Sequence, residues 1–364
     1  MCAGLAHVGV RSLVLTTHSK GMPVSRLFSD KYGTPVRAIS WSGSERRRAL
    51  RFTLDVLMQL VARWRSYQVV YWTMPGLQAV AGIPLARMLG KVNLMLFPAS
   101  GAGKILEQSR WGRWLLPVLR HFADAIIILN PEMRVEMEVL GFPAERIHWF
   151  PCPARSEAPP DAGRRAELRR DRGLRPDALA ITFTGRFVEV KRLQTLVAAF
   201  ALVARAVPQA LLILVGDGPE RSRLQAQVAE LGLTSRVRFT GFLEEEALLE
   251  TLYASDLFAI ISASEGMPCS LVEAMEAGLP AVVTDIPAMT QLVRDEEQGC
   301  VVPVDNVEAT AEALLKLLRN PEERLRLGQQ ARFRIVPDLT IETVAGRYRE
   351  LLEQLLVKRK TCRK

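Results

Sequence analysis

Ten short runs of apolar and β-branched residues, separated by helix-length segments, constrain this chain more than any other feature. The first four are Ser12–Thr16, Gln68–Trp72, Asn93–Phe97 and Ala125–Leu129. The rhythm resumes with Ala180–Thr184, Ala210–Val215, Val237–Phe239, Leu257–Ile261, Ala281–Thr284 and Cys300–Val302. Strands alternating with helices predict parallel sheets, an α/β architecture in two domains. Between the two sets, Phe150-Pro151-Cys152-Pro153 and the Arg- and Pro-rich stretch from Ser156 to Asp177 read as a hinge plus a short linking helix. The 364 residues thus divide into a first domain over 1–155 and a second over 156–340. A terminal helix over 341–364 either packs across the hinge or serves its own domain. No repeat of solenoid period is present.

Apolar residues make up 49% and charged residues 24% of the chain, a globular balance. The longest apolar runs fall far short of the roughly 20 residues that span a bilayer. The N-terminus lacks a secretory pattern, so the expected compartment is the cytoplasm. Five cysteines, scattered and without a CxxC pair, predict reduced thiols, with Cys152 structural. Four histidines without HExxH spacing argue against a metal centre. Charge is uneven: residues 1–155 carry 20 Lys/Arg against 9 Asp/Glu, and residues 156–364 carry 28 against 30. A basic first half implies an anionic partner, nucleic acid or a membrane face. Arg110-Trp111-Gly112-Arg113-Trp114, continuing to Arg120, resembles a membrane-surface helix more than a base reader. The alternative is a half-exposed helix packed on its own domain. Arg46-Arg47-Arg48 with Arg51 reads as a solvated helix start or a phosphate contact.

The second domain holds the chemistry. Strand Ala180–Thr184 runs into Gly185-Arg186-Phe187 and then Lys191, placing two cations on one loop at the carboxyl end of a strand, where open α/β sheets bind ligands. Arg186 can fork onto phosphate oxygens and Lys191 adds a point charge. After Leu257–Ile261 comes Ser264-Glu265-Gly266-Met267-Pro268-Cys269-Ser270-Leu271-Val272-Glu273, a Gly/Pro loop opening a helix. Ser270 is the expected cap of that helix, whose free N–H groups favour an anion. Glu265 and Glu273 can accept hydrogen bonds from two groups of hydroxyls, or else merely favour the helix start.

This E-x7-E element, with Gly-Arg-Phe…Lys before it and Val-Gly-Asp-Gly-Pro-Glu between, resembles retaining GT-B glycosyltransferases of the family-4 type, the glycosyl transferases group 1. The resemblance implies two Rossmann-like domains facing each other across a cleft. It implies that Glu265, Arg186 and Lys191 are catalytic, with the two cations on the donor diphosphate and Glu265 on hydroxyls of the transferred sugar. Glu273 would bind ribose. Gly185 would allow close backbone approach, and Gly266, Met267, Pro268, Cys269, Ser270 and Leu271 would contact sugar and phosphates through backbone N–H groups. Gly216, Phe242 and Leu243 would border the base. The implied reaction moves a hexose from a UDP-, GDP- or ADP-sugar to a hydroxyl of a lipid-linked or polysaccharide acceptor. No Asp-x-Asp triplet occurs, so the resemblance implies neither a metal nor a cofactor, and no nucleic-acid partner.

Three departures qualify it. The chain begins within what would be the first helix of such a domain, so the first strand and its glycine loop are expected to be missing. The loop Pro98-Ala99-Ser100-Gly101-Ala102-Gly103 lacks the family's His-Gly step, leaving Ser100 and Gly101 as candidates there, while His18 reads as a surface histidine. Gly216-Asp217-Gly218-Pro219-Glu220-Arg221 lacks the third glycine of a dinucleotide fingerprint, which argues against an oxidoreductase. The alternative function is a non-catalytic nucleotide-sugar-binding protein with a degraded first domain; an epimerase would need acid and base residues the four histidines do not offer.

Overall fold

A computed structural model of the chain describes residues 5–6, 8–17, 36–39, 45–73, 76–98, 101–108, 112–154, 158–336 and 338–361. Two compact units emerge, one of Met1–Pro151 with Ile341–Lys364, the other of Cys152–Thr340. In the first, β1 (Val14–Thr17) and β2 (Val36–Ile39) form a parallel ribbon. A separate parallel sheet contains β3 (Val69–Trp72), β4 (Val92–Phe97), β5 (Ala125–Ile128) and β6 (Ile147–Trp149), hydrogen-bonded in that order. Helices α1 (Glu45–Ala62), α2 (Leu77–Met88), α3 (Ala102–Gln108), α4 (Gly112–Phe122) and α5 (Met133–Val139) intervene. Every residue of β5 is buried, as expected of a parallel strand covered on both faces. Among the buried polar residues of this unit, Asn93 of β4 accepts through Oδ1 from Trp72 Nε1 at 3.0 Å.

The second unit is built on a six-stranded parallel sheet. Its strands are β7 (Leu179–Thr184), β8 (Ala210–Val215), β9 (Val237–Gly241), β10 (Leu257–Ile260), β11 (Ala281–Thr284) and β12 (Gly299–Val302), in the order β12-β11-β10-β7-β8-β9. The helices are α6 (Ala162–Asp171), α7 (Leu193–Ala206), α8 (Arg221–Glu230), α9 (Glu245–Ala254), α10 (Cys269–Glu276), α11 (Pro287–Thr290), α12 (Val307–Arg319) and α13 (Pro321–Ile335). Local chemistry sets several starts. Asp161, Asn306 and Asn320 each accept a hydrogen bond from the third residue of the helix that follows, and Pro321 stands at the first position of α13.

The terminal helix α14 (Ile341–Thr361) belongs to the first unit. Tyr348 stacks on Phe150 at 4.0 Å and meets Tyr71 edge-on, with the two hydroxyls 3.2 Å apart. Val344, Tyr348 and Leu351 join Val92, Leu94, Ala125 and Ile127 in one apolar cluster.

Two expectations change, and the helix read as a membrane-surface or half-exposed element gains detail. Strands β2 and β6 were not expected, because Val36-Arg37-Ala38-Ile39 and Ile147-His148-Trp149 are each interrupted by a polar residue and form no apolar run. Trp114 is exposed on α4 while Leu115, Leu116 and Leu119 are buried; Trp111 and Arg110 lie outside the described residues. The reduced-thiol expectation fails for one pair: Cys152 and Cys269 form a disulfide across 117 residues, with Cα atoms 5.8 Å apart. Their proximity is tertiary and leaves no mark on sequence spacing.

Candidate functional site

The strand order of the second unit locates a crevice. From β7 the chain winds outward through β8 and β9, then returns on the other side of β7 to β10 and continues to β12. Loops leaving the carboxyl ends of β7 and β10 therefore run in opposite directions, which is the switch point where open parallel sheets hold ligands. Thr184 ends β7 and Ser262 follows β10; the hydroxyls of both are buried without a hydrogen-bond partner. A buried polar atom left unpaired is costly, and both of these lie at the switch point.

Three loops are tied together above these strands. Phe187 N–H donates to the Asp217 carbonyl at 2.9 Å, Gly216 N–H to the Gly241 carbonyl at 2.8 Å, and Ala263 N–H to the Val190 carbonyl at 2.8 Å. Gly216 is required here: its φ is +128°, and a Cβ on it would lie 1.9 Å from the Gly185 carbonyl oxygen. Gly185 is likewise at positive φ, +153°. The turn then delivers Lys191, followed by Arg192 in the left-handed region at φ +51°, whose Nε pairs with Asp305 at 3.2 Å.

Lys191 Nζ meets Glu265 Oε1 at 2.5 Å, with the two side chains 16% and 12% exposed. The structure thus brings together the two residues that sequence reasoning assigned to different ligand groups. Arg186 is exposed on the same loop and makes no ion pair among the described residues. Gly266 and Pro268 are buried, and Met267 and Leu271 have their side chains in the core.

Two details are corrected. Pro268 has no N–H to offer. Ser270 is no cap: α10 starts at Cys269 behind Pro268, and no side chain caps it. Cys269 is exposed and disulfide-bonded. Glu273 is half-buried in α10, Phe242 is 61% exposed beyond β9, and Leu243 packs on the cluster around Leu168 and Leu211.

Of the candidates in the other unit, Ser100 and His18 lie outside the described residues. Gly101 N–H donates to Glu136 Oε2 at 3.0 Å and Gly103 N–H to Glu136 Oε1 at 2.9 Å. Glu136 of α5 therefore shapes that loop, a role sequence reading missed. It also missed Asp217, which accepts from Gly218 N–H at 2.7 Å and Arg221 Nη1 at 2.9 Å; the Asp-Gly pair was its available turn signal.

Comparison with known proteins adds three findings. Residues 164–334 match the glycosyl transferases group 1 family. Among curated relatives, alpha-D-kanosaminyltransferase of Streptomyces kanamyceticus is 32% identical over 57% of this chain and 55% of its own length. The GDP-mannose-dependent alpha-(1-6)-phosphatidylinositol monomannoside mannosyltransferase of Mycobacterium tuberculosis is 25% identical over 82% of this chain and 79% of its own. The chain spans about half the length of several of the curated relatives it matches. Among solved structures, Anabaena Alr3699/HepE in complex with UDP and glucose superposes with a TM-score of 0.78 at 18% identity, over 94% of this chain and 100% of that one. The fold is that of GT-B glycosyltransferases, two α/β domains with parallel sheets.

Proposed function

We propose that this protein, whose residues 164–334 match the glycosyl transferases group 1 family, is a retaining glycosyltransferase. It moves a hexose from a nucleoside diphosphate sugar to a hydroxyl of a lipid-linked or polysaccharide acceptor, without a metal. The observation that carries this reading is the Lys191–Glu265 contact at the switch point of the sheet. A cation and a carboxylate, both largely shielded, are held by loops from the two strands that flank the crevice.

In this reading the bond from the sugar's anomeric carbon to the diphosphate oxygen breaks, and the charge shed onto the nucleoside diphosphate falls on Arg186, Lys191 and the N–H groups opening α10. Lys191 leaves Glu265 for phosphate, and Glu265 accepts hydrogen bonds from hydroxyls of the transferred sugar. Glu273 receives the ribose hydroxyls, and Gly216, Phe242 and Leu243 border the base. A phosphate oxygen of the donor takes the acceptor's proton on the face the leaving group vacates, so the protein needs no acid and base pair of its own. The absence of an Asp-x-Asp triplet supports cationic side chains as the charge sink. A lipid-linked acceptor on an anionic cytoplasmic membrane face is supported by exposed Trp114, by the basic first 155 residues and by the phosphatidylinositol mannoside relative.

The test uses the full chain with radiolabelled UDP-, GDP- and ADP-sugars, scored for hydrolysis and transfer. Lys191→Met and Glu265→Gln are each expected to lower kcat by about 10²–10³ while the far-UV circular dichroism is unchanged. The anomeric proton coupling of the product reads retention. Turnover in both variants equal to wild type refutes the assignment.

A further inference from the structure

We propose that Cys152 and Cys269 form a reversible thiol switch that sets how firmly the donor loop is organised, an inference that rests on the donor-site reading above. Cys152 is the residue at which the chain enters the second unit, and Cys269 is the first residue of α10. Beside their disulfide, Cys152 N–H donates to Met267 Sδ at 2.9 Å. Two attachments within three residues therefore hold the segment 267–269 onto residue 152. Within it, Met267 is buried in the core. Pro268 caps α10 without a side-chain hydrogen bond, and the loop before it is joined to its neighbours by the Ala263 to Val190 bond and the Lys191–Glu265 pair. The second of these must open when a diphosphate takes Lys191.

Among the described cysteines, access and chemistry single out this pair. Cys269 is an exposed residue, and exchange proceeds by attack of a thiolate on a disulfide sulfur it can reach. Cys300 is buried, and burial pushes its thiol up to about 11, which keeps it out of exchange. In the reducing direction a glutathione thiolate attacks Cys269 Sγ, the protein S–S bond breaks, and the Cys152 thiolate leaves and takes a proton. A second glutathione thiolate then attacks the mixed disulfide, releasing the Cys269 thiolate, which is protonated, and glutathione disulfide. The oxidising direction reverses these steps, with glutathione disulfide as oxidant and two glutathione molecules as products. Where disulfides do appear in reducing compartments, they are as a rule catalytic or redox-sensing.

The oxidised form presents the N–H groups of α10 already in place, so the donor does not have to order them. The full-length protein is equilibrated in glutathione buffers spanning oxidising to reducing ratios, and the 152–269 cross-link is read by alkylation and peptide mass. UDP, GDP and ADP binding is titrated calorimetrically, and hydrogen exchange is followed over residues 264–272. Oxidised protein is expected to bind its nucleotide about three- to tenfold more tightly than reduced protein, with slower exchange in that segment. Cys152→Ser is expected to bind like the reduced form at every ratio. Nucleotide binding that ignores a cross-link verified by mass overturns the switch and leaves the donor-site reading standing. Failure to form the cross-link under oxidising buffer overturns it as well. If none of the three nucleotides binds in either state, the donor-site reading falls instead, and the hydrogen-exchange comparison decides the switch: equal exchange in the two states overturns it.

Discussion

Asp256 offers a sharp test of how the two strands of the switch point are held. It precedes β10, and its carboxylate is shared among three donors. Oδ2 accepts from Ala180 N–H at 2.7 Å and from Arg169 Nη1 at 3.1 Å, and Oδ1 accepts from Arg165 Nη2 at 2.9 Å. The Asp256 N–H in turn donates to the Ala180 carbonyl at 2.9 Å, so this residue fastens β10 to β7 at the ends away from the ligand loops. Arg169 and Asp256 side chains are 9% and 10% exposed. Asp256→Ala leaves a buried guanidinium uncompensated, which costs about 3–5 kcal/mol. For a unit of this size that is a fall of about 6–20 °C in melting temperature. All six tryptophans lie within the first 151 residues. Far-UV circular dichroism should therefore show the loss in the second unit while tryptophan fluorescence, reporting the first, stays where it was. Replacing both partners, Asp256→Leu with Arg169→Met, removes the unpaired charge and is expected to recover at least half of the loss, the remainder being the Ala180 N–H left without its acceptor and the Ala178 and Ala254 carbonyls left without their Arg169 donor. A single variant that loses less than about 1 kcal/mol, against the 3–5 expected, or a double variant no better than the single, refutes the argument.

Two further outcomes are accessible. Gly216→Ala forces a side chain into φ +128° and against the Gly185 carbonyl; strain of about 1–3 kcal/mol should be relieved by moving the Gly185–Arg186 turn, seen as a raised donor KM in a protein that still folds, and an unchanged KM counts against the tight turn. His148 of β6 has its pKa held below the ordinary 6.5 by burial and by Arg134. The unfolded chain therefore takes up this proton first, so stability is level above pH 6.5 and declines as pH falls through the depressed folded value. Urea midpoints read by tryptophan fluorescence should drop on acidification in the wild type more than in His148→Gln, and equal slopes would remove His148 from the account.

What the sequence made legible follows from range. β8 and β11 could be read to the residue, Ala210–Val215 and Ala281–Thr284, because each is an apolar run fenced by Pro or Gly: Pro208 and Gly216, and Pro280. Glu265, Arg186 and Lys191 stand out as residue types beside strand ends, again a local signal. What stayed hidden depends on strand order. Lys191 and Glu265 are 74 residues apart and touch only because β10 returns to lie against β7. Cys152 and Cys269 were argued toward free thiols by an odd count and wide spacing, and the same return of the chain brings their Cα atoms to 5.8 Å. The need for glycine at 216 arises from a carbonyl 31 residues upstream, at Gly185. Thr184 and Ser262 carry no signal in sequence at all, since a threonine or serine closing a strand is ordinarily paired or solvated. Only when β7 and β10 are seen as neighbours whose loops diverge do their two unpaired hydroxyls become informative. The candidate site is thus a property of adjacency: periodicity yields the strands, and the order in which they pair brings ordinary residues at their ends together at the switch point.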